Sequence, residues 1–210
     1  AHHRAFWHLT EEALVWAASR HDIHDAELLA EILMAYRHLD TYPEVPVVLR
    51  LLRDKGLERA ILSNGEPGML RDAVHTAGLT DLLNAVLSVE AVGVFKPDPR
   101  VYQLAGKHFG LAASQMAFVS SNPWDAFGAH AFGFKVFWVN RTGQRAEYDL
   151  HGKVTELRDL AGWGGLLGRG PEGGLPAPSN GWTPAGPHAN APPTQAETTS
   201  CGTAAPNGPG

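Results

Sequence analysis

The 210-residue sequence is poor in cysteine, in basic charge and in long apolar runs, and each shortage removes a class of protein. Its single cysteine, Cys201, excludes a disulfide framework and favours a reducing, cytoplasmic compartment. With 17 Lys and Arg against 22 Asp and Glu, the net charge of −5 offers no basic surface for nucleic acid or for an anionic membrane. No apolar run reaches the roughly 18 residues of a membrane span. The sequence therefore predicts a globular protein whose partners include neither nucleic acid nor a membrane.

Several catalytic motifs are missing as well. None of the 11 histidines belongs to a His-Glu-x-x-His pair, and the lone cysteine cannot build a thiolate site, so no metal centre is predicted. A glycine-rich phosphate loop, a dinucleotide fingerprint and a Gly-x-Ser-x-Gly elbow are also missing from the sequence. We therefore expect neither a metal ion nor a cofactor.

Residues 1–42 have a helical pattern. Thr10, followed by two glutamates, predicts a helix start, and Asp25 predicts the start of a second helix. The second helix carries an apolar stripe that we expect to pack on neighbouring helices, formed by Leu28, Leu29, Ile32, Leu33 and Tyr36.

From Pro43 onward, helices alternate with short apolar strands. The strands are predicted at 60–62, 86–89, 117–120 and 136–139. This alternation predicts an α/β fold with a parallel sheet that is covered on both faces. Beyond about Ala161 the composition turns to Pro, Gly, Ala, Ser and Thr, which predicts a disordered tail.

Polar residues follow two of the predicted strands, at the sheet edge where parallel α/β folds bind their ligands. Ser63 and Asn64 precede a helix at Pro67, which suits either a bound anion such as a carboxylate or an ordinary strand-to-helix turn. Lys96 stands in an apolar segment before Pro97, so it is either held inward near a carboxylate or exposed to solvent.

The run Ser-Ser-Asn-Pro-Trp-Asp at 120–125 is denser in polar groups. It places two hydroxyls, an amide, an indole and a carboxylate at one strand end. Asp125 taken alone is also compatible with a simple helix cap. The presence of Asn122 and Trp124 beside it favours a functional site.

Three segments, at 60–65, 94–102 and 118–125, resemble successive motifs of the type II (S)-2-haloacid dehalogenases in order and spacing. The similarity extends from about residue 5 to about residue 145. A phosphatase of the same superfamily would carry Gly-Asp-x-x-x-Asp at the third segment to hold magnesium. Only one acid, Asp125, stands there, so the resemblance implies no magnesium.

The resemblance implies a Rossmann-like core over residues 43–161, the remainder of a helical cap over 1–42, and a tail over 162–210. It also implies hydrolysis of short (S)-2-haloalkanoic acids to (R)-2-hydroxyalkanoic acids. An aspartate would displace the halide from C2, and water would then hydrolyse the resulting aspartyl ester.

The resemblance also assigns roles to individual side chains. Those near the reacting atoms, which orient the nucleophile, support the lysine and position the hydrolytic water, are Lys96, Tyr102, Ser120, Asn122 and Asp125. Those that bind the substrate carboxylate, the departing halide and the apolar part of the substrate are Ser63, Asn64, Trp124 and Phe6.

The family's Asp-x-Tyr-Gly-Thr segment, which carries the nucleophile on the first strand, has no counterpart in residues 1–42. We therefore expect an N-terminally truncated chain whose missing strand belongs between the strands that end at Ser63 and Ser120. Such a chain is expected to be inactive and poorly folded on its own. The resemblance allows a homodimer. The alternatives are a phosphatase of the same superfamily and a non-catalytic protein that binds a small carboxylate.

Overall fold

The computed structural model describes residues 3–166, so nearly all of the predicted tail lies outside the described residues. The helices of this part are α1 (Phe6–Ser19), α2 (Ala26–Ala35), α3 (Glu44–Asp54), α4 (Pro67–Thr76), α5 (Pro99–Phe109), α6 (Pro123–Phe132) and α7 (Ala161–Leu166). The strands are β1 (Ala60–Ser63), β2 (Ala85–Ser88), β3 (Ala117–Ser120), β4 (Lys135–Val139) and β5 (Thr155–Leu157). None of these helices is long and apolar enough to cross a membrane.

The strands are parallel, which confirms the α/β prediction. β1 pairs with β2, β3 pairs with β4, and β4 pairs with β5. In residues 3–166 the sheet is divided in two, because β1 and β3 are not hydrogen-bonded to each other. This break falls where the sequence predicts a further strand. The sequence did not predict β5 or α7, since both are short and carry little apolar periodicity.

Proline and glycine define the helices that follow the strands. α4, α5 and α6 each have proline in their first turn, where a missing N–H costs no intrahelical bond. α5 and α6 end at glycines with left-handed backbone angles, Gly110 at φ 67° and Gly133 at φ 110°. These signals fix the turns after β1 and β3 and so place the polar residues at the strand ends.

The main core lies between α5, α6 and the sheet of β3 and β4. Tyr102 is fully buried there, with Phe118, Phe132 and Phe134 packed around its ring. Gly128 on α6 permits this packing, because a Cβ at that position would stand 2.6 Å from the Tyr102 hydroxyl oxygen.

The predicted start of the first helix at Thr10 is wrong. α1 begins at Phe6, and the Thr10 hydroxyl donates a hydrogen bond to the Phe6 carbonyl instead of capping the helix. The predicted start of α2 is confirmed, since the Asp25 carboxylate accepts from the backbone N–H groups of Glu27 and Leu28.

The prediction that the apolar stripe of α2 packs on neighbouring helices is wrong for three of its five residues. Leu28, Ile32 and Tyr36 are 41%, 40% and 45% exposed, whereas Leu29 and Leu33 are half-buried. The reason is that α2 packs on α1, and a two-helix pair covers only one side of each helix. An apolar surface of residues 3–166 therefore faces outward.

Candidate active site

Lys96 lies at the centre of the polar residues that follow β1 and β3. Its Nζ is 3.0 Å from Asp125 Oδ2, and the two side chains are only 7% and 6% exposed. The ammonium also lies 4.9 Å from the centroid of the Phe118 ring. The Lys96 backbone N–H donates to Asn64 Oδ1 at 3.0 Å. A solvent-exposed lysine is therefore excluded, and Lys96 connects the turn after β1 with the start of α6.

Asp125 uses both carboxylate oxygens in hydrogen bonds. Oδ2 accepts from Lys96 Nζ at 3.0 Å and from Ser120 Oγ at 2.9 Å, while Oδ1 accepts from Tyr102 Oη at 2.9 Å. The residue lies in the first turn of α6, where a negative charge is favoured by the helix dipole. Its carboxylate does not cap α6, whose N-cap position is held by Asn122. Asp125 therefore holds Lys96, Ser120 and Tyr102 in one network.

Burial determines the protonation of this network. Desolvation lowers the pKa of Lys96 below its ordinary value, and the negative charge and hydrogen bond of Asp125 oppose this shift. Desolvation, followed by the charge of Asp125, raises the pKa of Tyr102. Tyr102 is therefore a protonated hydrogen-bond donor even at alkaline pH, whereas Lys96 is the member that can lose its charge.

The turn after β3 is organised by the Ser120 hydroxyl. While donating to Asp125, Ser120 Oγ accepts from the Asn122 backbone N–H at 3.2 Å. The Asn122 side chain is exposed at the N-terminus of α6, and Trp124 is half-buried in the first turn of that helix. Asn122 is thus placed where it can hold a water molecule or a substrate atom.

The turn after β1 presents donors of its own. Ser63 Oγ accepts from the Gly65 N–H at 3.1 Å, which leaves its O–H to donate. Because Asn64 Oδ1 accepts from the Lys96 backbone, the amide NH₂ of Asn64 points away from that bond. Ser88 on β2 fixes the turn by donating to the Gly65 carbonyl at 2.7 Å. Two donor groups beside the α4 N-terminus suit an anion.

Phe6 lies against the loop that carries Lys96. Its ring meets the ring of Phe95 edge-on, with centroids 6.3 Å apart. Since Phe95 directly precedes Lys96, α1 does reach the loop that carries the lysine. The apolar wall formed by Phe6 and Trp124 together stays a prediction.

Other contacts around the site could not be found from sequence patterns. Glu66 Oε1 accepts from the Trp7 backbone N–H at 3.1 Å. Farther along the same edge, Arg141 follows β4, lies 2.6 Å from Glu44 and packs over the ring of Tyr42. These residues join segments distant in sequence, and nothing in their local spacing marks them.

In residues 3–166 the arrangement can bind a small anion and hold a charge beside it, but its central carboxylate, Asp125, is occupied by hydrogen bonds. Lys96, Ser63 and Asn64 provide positive charge and donors, while the Asp125 oxygens are engaged and buried. Within residues 3–166, no three His, Cys, Asp or Glu side chains are grouped as ligands of a metal ion.

Comparison with known proteins gives consistent matches. The sequence profile of the haloacid dehalogenase-like hydrolases matches residues 3–133. The chain is 40% identical over 159 residues to "(S)-2-haloacid dehalogenase 4A" of Burkholderia cepacia, an alignment that covers 74% of this chain and 69% of that protein.

Solved structures agree with the sequence matches. An L-2-haloacid dehalogenase from Xanthobacter autotrophicus superimposes with a TM-score of 0.71 at 34% identity, covering 79% of this chain and 76% of that one. The structure of that enzyme with chloropropionic acid covalently bound gives a TM-score of 0.69 at 35% identity, with the same coverage of both chains.

Proposed function

Because the chain belongs to the (S)-2-haloacid dehalogenases of the haloacid dehalogenase-like hydrolases, we propose that it acts in the hydrolytic dehalogenation of short (S)-2-haloalkanoic acids to (R)-2-hydroxyalkanoic acids. The observation that carries the proposal is the buried Lys96–Asp125 pair, placed between the polar turns that follow β1 and β3.

The turn after β1 binds the substrate. The Ser63 hydroxyl and the N-terminus of α4 receive the carboxylate, because both offer hydrogen-bond donors or positive dipole charge. The amide NH₂ of Asn64 donates to the departing halide. Trp124 and Phe6 contact the apolar part of the substrate.

The attacking carboxylate comes from outside the described residues. Asp125 is unsuited to the role, since three donors occupy its oxygens and its side chain is 6% exposed. The break between β1 and β3 leaves a place for an extended segment next to Lys96. A carboxylate brought there would be oriented by the lysine, whose charge balances the added negative charge.

Two chemical steps follow. A carboxylate oxygen bonds to C2 in line with the carbon–halogen bond, which breaks as the halide leaves with the bonding pair and C2 is inverted. Water, positioned by the exposed side chain of Asn122, then attacks the ester carbonyl. The hydroxy acid is released, the carboxylate is regenerated and a proton is given to solvent. The covalently bound chloropropionic acid in the Xanthobacter enzyme supports an ester of this kind.

Chloride release from (S)-2-chloropropanoate tests this scheme. We would compare the 210-residue chain with a chain extended by the in-frame coding sequence upstream of Ala1. We expect the extended chain to release chloride, with or without a chelator, and the 210-residue chain to release none. Turnover by the unextended chain would show that the attacking group lies within the 210 residues and would contradict this assignment.

The apolar stripe of α2 supports a homodimer. Leu28, Ile32 and Tyr36 are exposed together, and apolar surface of this kind is commonly covered by a partner. Light scattering after gel filtration should give twice the monomer mass, and Ile32→Glu should shift it to the monomer. Glu31→Lys, a charge change outside the stripe, is the control. If the unsubstituted protein is a monomer, the homodimer is refuted.

The division into a cap at 1–42 and a core at 43–161, and the cytoplasmic location, stay predictions.

A further inference from the structure

Helix α1 begins without a cap of its own. Ala5 at the N-cap position has no side-chain acceptor, and the first turn carries no acidic residue. The first backbone N–H groups of a helix have no intrahelical partner and require an acceptor from elsewhere.

Glu66 supplies that acceptor from another part of the fold. Its Oε1 accepts from the Trp7 N–H in the first turn of α1, at 3.1 Å. Glu66 is itself the N-cap residue of α4, but its side chain makes no capping bond to α4. A carboxylate attached at one helix N-terminus thus caps a second helix, and the positive ends of both helix dipoles favour its negative charge.

This contact is one of several that connect α1, the turn after β1 and the loop that carries Lys96. Glu66 stands two residues after Asn64, whose Oδ1 accepts from the Lys96 backbone. Phe95, directly before Lys96, meets the ring of Phe6, the first residue of α1. The substrate-binding turn is therefore connected to α1 in two ways, directly through Glu66 and indirectly through the Lys96 loop.

A second contact ties the same residue of α1 to α4 without involving the site. The guanidinium of Arg37 lies 4.5 Å from the Trp7 ring centroid and forms an ion pair of 2.6 Å with Asp72. Asp72 is on α4, six residues after Glu66, and its side chain is half exposed. Asp72→Asn provides a matched control, because it removes the charge of this partly exposed ion pair, keeps an oxygen that can accept from Arg37 and leaves the cap in place.

We propose that Glu66 is a positioning residue, which holds the N-terminus of α1 on the substrate-binding turn and thereby sets how large a substrate side chain fits beside Phe6. The size-selecting part of this inference rests on the proposed function. The helix-capping part depends only on the contacts of residues 3–166.

Amide hydrogen exchange tests the capping part, in whichever of the 210-residue chain and the extended chain unfolds cooperatively. Glu66→Ala should speed exchange of the Trp7 amide about 5- to 10-fold, which corresponds to about 1–1.4 kcal/mol. Glu66→Gln keeps an acceptor oxygen and should restore most of the protection. Asp72→Asn should leave the Trp7 amide unchanged. Equal exchange in the unsubstituted chain and in Glu66→Ala would overturn the proposal.

Steady-state kinetics on the active, extended protein test the selection of substrate size. Glu66→Ala should change the ratio of kcat/KM for 2-chlorobutanoate over chloroacetate by about tenfold, mainly through KM, because one methylene in an apolar pocket is worth about 10- to 200-fold. Glu66→Gln should restore the ratio, and Asp72→Asn should not alter it. An unchanged ratio despite faster exchange would reduce Glu66 to a helix cap and overturn the positioning role. If the unsubstituted protein releases no chloride, the proposed function fails, and the exchange result still decides the capping.

Discussion

Replacing Asp125 by asparagine isolates the contribution of the buried ion pair. The substitution keeps the side-chain shape but removes the charge that faces Lys96 Nζ at 3.0 Å. An amide has one oxygen, so it cannot accept from Lys96, Ser120 and Tyr102 as the carboxylate does. Breaking one partner of a buried pair costs about 3–5 kcal/mol. Against a total stability of about 5–15 kcal/mol, this is a large loss.

The stability of the Asp125→Asn variant should also depend on pH in a defined direction. Burial already lowers the pKa of Lys96 below 10.5, and Asp125 opposes the shift. Without Asp125 the pKa of Lys96 falls further, so the folded variant binds fewer protons than its unfolded state between that lowered pKa and 10.5. Stability of Asp125→Asn should therefore rise with pH in this window, and its deficit should be smaller at about pH 9–10 than at about pH 7.

Urea unfolding followed by circular dichroism measures both effects, using whichever form of the protein unfolds cooperatively. Asp98→Asn is the control, because Asp98 pairs with an exposed Arg100, where solvent screens the charges, so its loss should change stability much less. A loss below about 1 kcal/mol for Asp125→Asn, or a deficit that grows with pH, would refute a desolvated Lys96–Asp125 pair.

Two further substitutions and one pH profile test the same region. Gly128→Ala should lower the free energy of unfolding by about 1–3 kcal/mol, because its Cβ would stand 2.6 Å from Tyr102 Oη. Gly68→Ala on α4 is the control and should be neutral or slightly stabilising, because the nearest neighbour of its Cβ is 3.9 Å away. Equal unfolding midpoints for the two variants would contradict this packing. In the active, extended protein, Lys96→Ala should lower turnover by about 10²- to 10³-fold or more while folding is retained, and near-normal turnover would remove Lys96 from the mechanism. The alkaline limb of kcat/KM in that protein should report loss of the Lys96 charge, so Lys96→Arg should move the limb to higher pH; an unmoved limb would assign it to another group.

Much of the fold could be predicted from the sequence because its signals are local. Prolines in the first turns of α4, α5 and α6, and glycines after the last turns, mark the helix ends within one or two residues. The apolar strands between them are short, and β3 and β4 contain buried residues, whereas β1 and β2 are only partly buried. The start of α1 was missed because the group that caps it, Glu66, is 59 residues away from Trp7.

The residues of the candidate site were predicted one by one from a resemblance, but the hydrogen bonds and the ion pair between them were not. Sequence alone left Lys96 open between a buried and a solvated position, and only the structure shows it paired with Asp125. Tyr102 and Ser120 act on the lysine through Asp125, since both donate to the carboxylate. Such three-dimensional partners leave no periodic trace in the sequence, because they join a helix, a strand end and a loop.

The central claim is most directly tested by the stereochemistry of the reaction. The extended protein should release chloride from (S)-2-chloropropanoate and form (R)-lactate, with no release from the (R) enantiomer and no change when a chelator is added. Chiral chromatography of the product together with chloride titration measures both at once. Chloride release lost on chelation, formation of (S)-lactate from the (S) substrate, or no release from either enantiomer would contradict the account.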